Sequence, residues 1–87
     1  MISRLGLRFL SKNLRRDVWL QHNGNRIFGK CYCCKRKIDA FNFEAAHVQA
    51  KSRGGPNTLE NLRSTCTPCN RDMRTENLYL YMNRKFK

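Results

Sequence analysis

Two Cys-x-x-Cys pairs, Cys31-Tyr-Cys-Cys34 and Cys66-Thr-Pro-Cys69, constrain this chain more than any other feature. Two cysteines separated by two residues wrap a tight turn around one tetrahedral ion, and two such turns complete a four-sulfur ligand set. The chain has 87 residues. A domain of that size hides only roughly 60% of the surface its unfolded chain exposes, so an internal staple is expected. We therefore expect one structural Zn²⁺ held by Cys31, Cys34, Cys66 and Cys69. A fifth cysteine, Cys33, makes the set odd. That count suits a metal site better than a disulfide framework and favours a reducing compartment, with Cys33 as a leftover thiol rather than a ligand.

Charge sets the second constraint. Lys and Arg total 18 against 6 Asp and Glu, a formal net charge of +12, or roughly +10 once four thiolates surround one divalent ion. The excess is spread along the chain rather than gathered in a tail. On a folded domain such a charge points to a polyanion, DNA or RNA, because each phosphate contact releases a condensed counterion. Packing within a virion or a ribonucleoprotein is the alternative use of the same charge. No run of 18 apolar residues is present, so no membrane span is expected.

The coarse organisation is a single domain over residues 1–87. Residues 1–16 are Arg-rich, with Ser3 and Ser11 and no acid before Asp17, a composition shared with mitochondrial presequences. Leu7, Leu10, Leu14 and Val18 fall at helical spacing, however, and favour an amphipathic helix from about Ser3 to about Gln21. That helix ends before the turn signal Asn23-Gly24-Asn25 and is anchored by Trp19. The first knuckle spans Ile27 to Lys37. Phe41, Phe43 and Ala45 alternate with Asn42, Glu44 and Ala46 as a strand does, running on to Val48. After the loop Gly54-Gly55-Pro56-Asn57, Leu59 to Thr65 reads as a second strand pairing with the first. Thr67 supplies a capping hydroxyl before Pro68, so a helix carrying Cys69, Asn70, Met73 and Arg74 should start there. A last helix runs from about Glu76 to Phe86, with Leu78, Tyr81, Met82 and Phe86 for one face.

Between and within the knuckles lie His47-Val48, Gly54-Gly55, Asn61-Leu62-Arg63 and Cys66-Thr-Pro-Cys69-Asn70-Arg-Asp-Met73. In order and spacing this constellation resembles the HNH (ββα-metal) endonuclease family, particularly zinc-containing members carried by phages and large DNA viruses. The resemblance covers about Arg15 to Leu78. It implies a small α+β fold: a hairpin-plus-helix core, a four-cysteine zinc site, and flanking N- and C-terminal helices. It also implies a metal-dependent DNA endonuclease leaving 5′-phosphate and 3′-hydroxyl ends. In that scheme His47 is the general base, Asn61 fixes the hairpin loop and orients His47, and Asn70 ligates Mg²⁺ or Mn²⁺. Elementary chemistry agrees in part, since phosphodiester hydrolysis needs a base, a cation and donors that hold the backbone. Histidine, with a reference pKa near ~6.5, suits the first role. Arg53, Arg63, Arg71 and Arg74 are candidate phosphate contacts.

One position departs from the family. Most relatives carry an acidic metal ligand immediately before the first histidine, and this chain has Ala46, with Glu44 the nearest acid on that face of the strand. Asn70 alone is a neutral donor for a hard divalent ion. This departure keeps open a second reading: a catalytically degenerate HNH-type zinc module that binds nucleic acid or packs in a virion or ribonucleoprotein. The expected location is an intracellular reducing compartment, or a virion interior, rather than the mitochondrion.

Overall fold

Ser11 opens the first helix, α1 (Lys12–Asn23), by accepting a hydrogen bond from Leu14 N at 3.0 Å. The computed structural model describes residues 11–86. The start of the expected helix, with Leu7 and Leu10, lies outside the described residues. At its other end α1 runs through Asn23 and stops at Gly24, whose φ of 64° is open to glycine at little cost. Val18 and Trp19 are its buried residues. The Trp19 indole donates to Arg26 O at 2.8 Å and its ring lies 5.1 Å from that of Phe43, which ties the helix to the middle of the chain.

A short hairpin that the sequence reading does not contain frames the first knuckle. Strand β1 (Phe28–Lys30) pairs antiparallel with β2 (Lys37–Asp39), with Phe28 opposite Asp39 and Lys30 opposite Lys37. Asp39 then forms an Asx-turn, its Oδ1 accepting from Phe41 N at 2.9 Å and from Asn42 Nδ2 at 3.2 Å. That turn corrects the expected strand start: Phe41 is 77% exposed, and β3 covers only Glu44–His47.

Strand β3 pairs antiparallel with β4 (Leu62–Thr65), as expected, in the register Glu44 opposite Thr65 through His47 opposite Leu62. Leu59–Asn61 is a 3₁₀ turn rather than the first part of β4. In the loop between the strands, Gly55 N donates to Ala50 O at 2.9 Å. A side chain at Gly55 would collide with the Gln49 carbonyl, so the loop closes only with glycine there.

Helix α2 (Thr67–Met73) has Pro68 in its first turn, but its cap is Cys66 and not the Thr67 hydroxyl. Thr67 Oγ1 instead donates to Glu44 Oε2 at 3.1 Å, fastening α2 to β3. The last helix, α3 (Leu78–Lys85), begins two residues after Glu76 because Asn77 caps it, accepting from Tyr79 N at 2.9 Å and Leu80 N at 3.3 Å. Leu78 and Tyr81 are buried, whereas Phe86 is largely exposed beside the Tyr81 ring. The core gathers Val18, Trp19, Phe43, Ala46, Leu62, Met73, Leu78 and Tyr81 with the buried cysteines. Among the described residues no helix is long and apolar enough to cross a membrane.

Candidate metal centre and active site

The β1–β2 hairpin carries Cys31 and Cys34 at its tip, and the start of α2 carries Cys66 and Cys69. Their four sulfur atoms all lie within 4.8 Å of one another. A tetrahedron with metal–sulfur bonds of ~2.3 Å has edges of about 3.8 Å, and the Cys34 to Cys66 Sγ separation is 3.7 Å. Peptide N–H groups support the sulfurs, with Cys33 N 3.4 Å from Cys31 Sγ and Arg36 N 3.4 Å from Cys34 Sγ. Three of the four cysteines are buried. The arrangement can hold a metal ion, and its all-sulfur donor set suits a borderline-soft one.

Ionisation across the cluster is uneven. A hydrogen bond from the Cys33 side chain, helped by the N–H groups of Cys34, Cys66 and Cys33, outweighs burial and brings the Cys31 thiol down to about 4. The same contact, together with burial, pushes Cys33 up and keeps it a neutral thiol. Burial also pushes Cys66 and Cys69 up. A cation held by Cys31, Cys34, Cys66 and Cys69 would supply the positive charge that the later deprotonations require.

Beside the C-terminal turn of α2, a cavity of about 240 Å³ is lined by His47, Lys51, Ser52, Asn70, Arg74 and Thr75, with Ala50 and Met73. It brings together the end of β3, the loop after it and the C-terminal turn of α2. His47 Nε2 lies 2.7 Å from Asn57 Oδ1. A carbonyl oxygen only accepts, so this contact holds the ring proton on Nε2 and leaves Nδ1 with its lone pair. Arg53 Nε donates to Thr75 O at 3.1 Å and braces the cavity wall.

Among the described residues the Asn61 side chain makes no hydrogen bond to His47. Its Oδ1 accepts from Gln49 N at 2.9 Å, and its Nδ2 donates to Gln49 O at 3.1 Å and Pro56 O at 3.0 Å. It thereby pins both sides of the loop that carries Asn57. Asn57 is the site residue that the sequence reading missed, because nothing in the chain marks a loop asparagine ten positions from its histidine. Glu44 lies at the far end of β3, engaged with Thr67, and Ala46 is 1% exposed in the core. Among the described residues no Asp or Glu lines the cavity.

The candidate arginines divide. Arg53, Arg71 and Arg74 are exposed. Arg63 is drawn into the fold: its Nη1 donates to Glu60 O and Leu62 O, and its Nη2 donates to the Tyr79 hydroxyl at 2.9 Å.

Strands β3 and β4 with helix α2 form the ββα unit of a ββα-metal fold, and the four-cysteine cluster joins it to the hairpin before. The profile of the HNH endonuclease family matches residues 31–85, spanning both cysteine pairs, the ββα unit and all of α3. The chain belongs to the HNH endonuclease family. No curated protein and no solved structure matches it.

Proposed function

We propose that the chain is a metal-dependent DNA endonuclease, that the four-sulfur cluster holds a structural Zn²⁺, and that the His47 cavity is where the phosphodiester is hydrolysed. The observation that carries this reading is one cavity lined by a histidine with a free ring nitrogen, by Asn70, and by the cations Lys51 and Arg74. His47 Nδ1 takes a proton from the attacking water, the water oxygen bonds to phosphorus, and the 3′ oxygen leaves. Lys51 and Arg74 hold the phosphate by charge, and Asn57 holds the ring in register for the transfer.

Asn70, Ser52 and Thr75 offer only neutral oxygen donors. These suit Mg²⁺ or Mn²⁺ when the substrate phosphate provides the anionic donor, since hard divalent ions at nucleotide sites commonly use few protein ligands. Such an ion supplies Lewis-acid stabilisation of charge on the phosphate and the leaving oxygen.

A second reading is favoured by one observation: among the described residues no carboxylate lines the cavity, and Ala46 is packed into the core. It is a nucleic-acid-binding module of the same fold without cleavage. A supercoiled-plasmid nicking assay with Mg²⁺ or Mn²⁺ separates the two. On the endonuclease reading the parent nicks, and His47→Ala loses ~10² or more in rate with metal content and DNA affinity nearly unchanged. A parent that binds DNA without nicking it at high Mg²⁺ and Mn²⁺ supports the binding module. Equal cutting by parent and H47A would remove His47 from the mechanism.

A further inference from the structure

Away from the His47 cavity, the C-terminal end of α1, strand β1 and the first Cys-x-x-Cys turn enclose a larger cavity of about 660 Å³. Among the described residues the two cavities share no lining residue. Arg26, Lys30 and Lys35 line the larger one together with His22, Cys31 and Tyr32, and among the described residues no Asp or Glu does. Three cations line this concavity against one thiolate, Cys31 of the four-sulfur cluster, and their excess of positive charge focuses a positive potential there.

The walls are fixed by specific contacts. Asn23 Oδ1 accepts from Lys30 N at 3.2 Å and Asn23 Nδ2 donates to Trp19 O at 3.4 Å, which locks the helix end to β1. Gly29 makes this approach feasible, since a Cβ there would run into the Asn23 side chain. Lys35 sits at φ 68°, in the left-handed region where glycine is the easier residue. Its Nζ donates to Tyr32 O at 2.9 Å and stands 5.3 Å from the centre of the Tyr32 ring, so its charge is held at the rim.

Arg26 and Lys30 are exposed, and among the described residues their side chains make no hydrogen bond or ion pair. His22 lies in the lining, its ring 5.1 Å from that of Tyr32; partial burial first, then the charges of Arg63, outside the cavity, and of Lys35 hold its imidazole below the usual histidine range, against a raising hydrogen bond with the Val18 backbone.

We propose that this cavity is a second phosphate-binding site, an exosite that grips nucleic-acid backbone away from the scissile bond. The proposal rests on the reading of nucleic acid as the substrate. A free phosphate ion offers the same chemistry. The polymer is favoured because two of the three cations are exposed, carried on long arms and without a partner among the described residues, which suits successive phosphates of one backbone better than enclosure of a single ion.

The test is binding of the full chain to a duplex of about 20 base pairs in buffer without added divalent cation, so that cleavage does not enter. Parent and the R26A/K30A double variant are compared across salt concentrations. Each phosphate contact contributes about 0.9 to the log–log salt slope, so the variant should lose about two units of slope and roughly tenfold or more in affinity near 0.1 M salt. The backbone contacts of both residues survive in alanine, and circular dichroism and metal content check the fold. In the parent, the His22 ring resonances should move on adding duplex, which keeps the proposal testable if the variant misfolds. A parent that binds duplex with a slope matched by R26A/K30A, or without movement of His22, overturns the exosite alone. A parent that binds no duplex overturns it together with the functional reading. Saturation of the His22 shift by micromolar inorganic phosphate would overturn the polymer in favour of the free ion.

Discussion

The four-sulfur cluster and the His47 cavity share helix α2, yet they are built on opposite principles. The cluster is closed: four ligands of one type converge from two segments, three of them buried, with a hydrogen bond already favouring the first thiolate. The cavity is open: His47 and Asn70 are only half-buried, the lining donors are neutral, and the charges beside them are positive. A closed ligand set holds its ion whether or not substrate is present and so contributes to folding. An open cationic site gains its anionic donor only when a phosphate arrives. On the proposed function, the same helix would serve stability through Cys69 and chemistry through Asn70, the next residue.

The largest effect that can break this comparison is loss of the cluster. If the cluster holds structural zinc as proposed, its binding would be worth roughly 10–16 kcal/mol, as much as the whole stability of a small domain, about 5–15 kcal/mol. Cys69→Ser should therefore lose the metal and the helical circular dichroism together, and chelation of the parent should do the same. A C69S protein that keeps its fold while elemental analysis finds no metal would make the cluster as dispensable as the cavity.

How far the sequence carries can be judged on particular residues. The cysteine ligands are legible because Cys-x-x-Cys spacing encodes the turn geometry directly. The β3–β4 hairpin is legible from its alternation, but not its ends, because the Asp39 Asx-turn and the Asn61-pinned loop are decided by side-chain bonds to backbone. Strands β1 and β2 are three residues each and carry too few positions for a pattern. Arg63 reads like Arg71 and Arg74 in one dimension; only the fold reveals that main-chain carbonyls and Tyr79 occupy it. Asn57 was invisible because its role depends on a loop closure that brings it to His47.

A smaller effect sharpens the comparison at Ala46. Family resemblance makes this the position of a missing acidic ligand, while the fold buries it to 1% exposure among apolar neighbours. A carboxylate there without a partner should cost on the order of 3 kcal/mol, or more than about 10 °C of Tm for a domain this size. Ala46→Asp is thus expected to melt earlier, with no gain in metal response. If thermal denaturation instead finds an unchanged Tm and the Mg²⁺ concentration for half-maximal nicking falls, the open site lacks only one ligand, and its contrast with the closed cluster is one of degree.

The smallest expected effect falls on Asn57, and it tests how an open site keeps its base oriented. The residue is exposed and touches His47 through one 2.7 Å contact, so Asn57→Ala should leave Tm and metal content unchanged. Losing the acceptor frees the imidazole to rotate and to carry its proton on either nitrogen, so the tautomer with Nδ1 available is no longer favoured. A positioned general base is itself worth about 10²–10⁴-fold, and one exposed contact that only orients it should be worth less. We expect kcat for nicking to fall about tenfold with KM nearly unchanged, because the ring's orientation matters to proton transfer and little to DNA binding. Asn57→Asp keeps an acceptor oxygen and should recover most of that loss, which a merely structural role for the loop does not predict. Equal kcat in N57A and the parent would show that His47 is held by its strand alone, and a rise in KM without a change in kcat would move Asn57 from positioning to DNA contact.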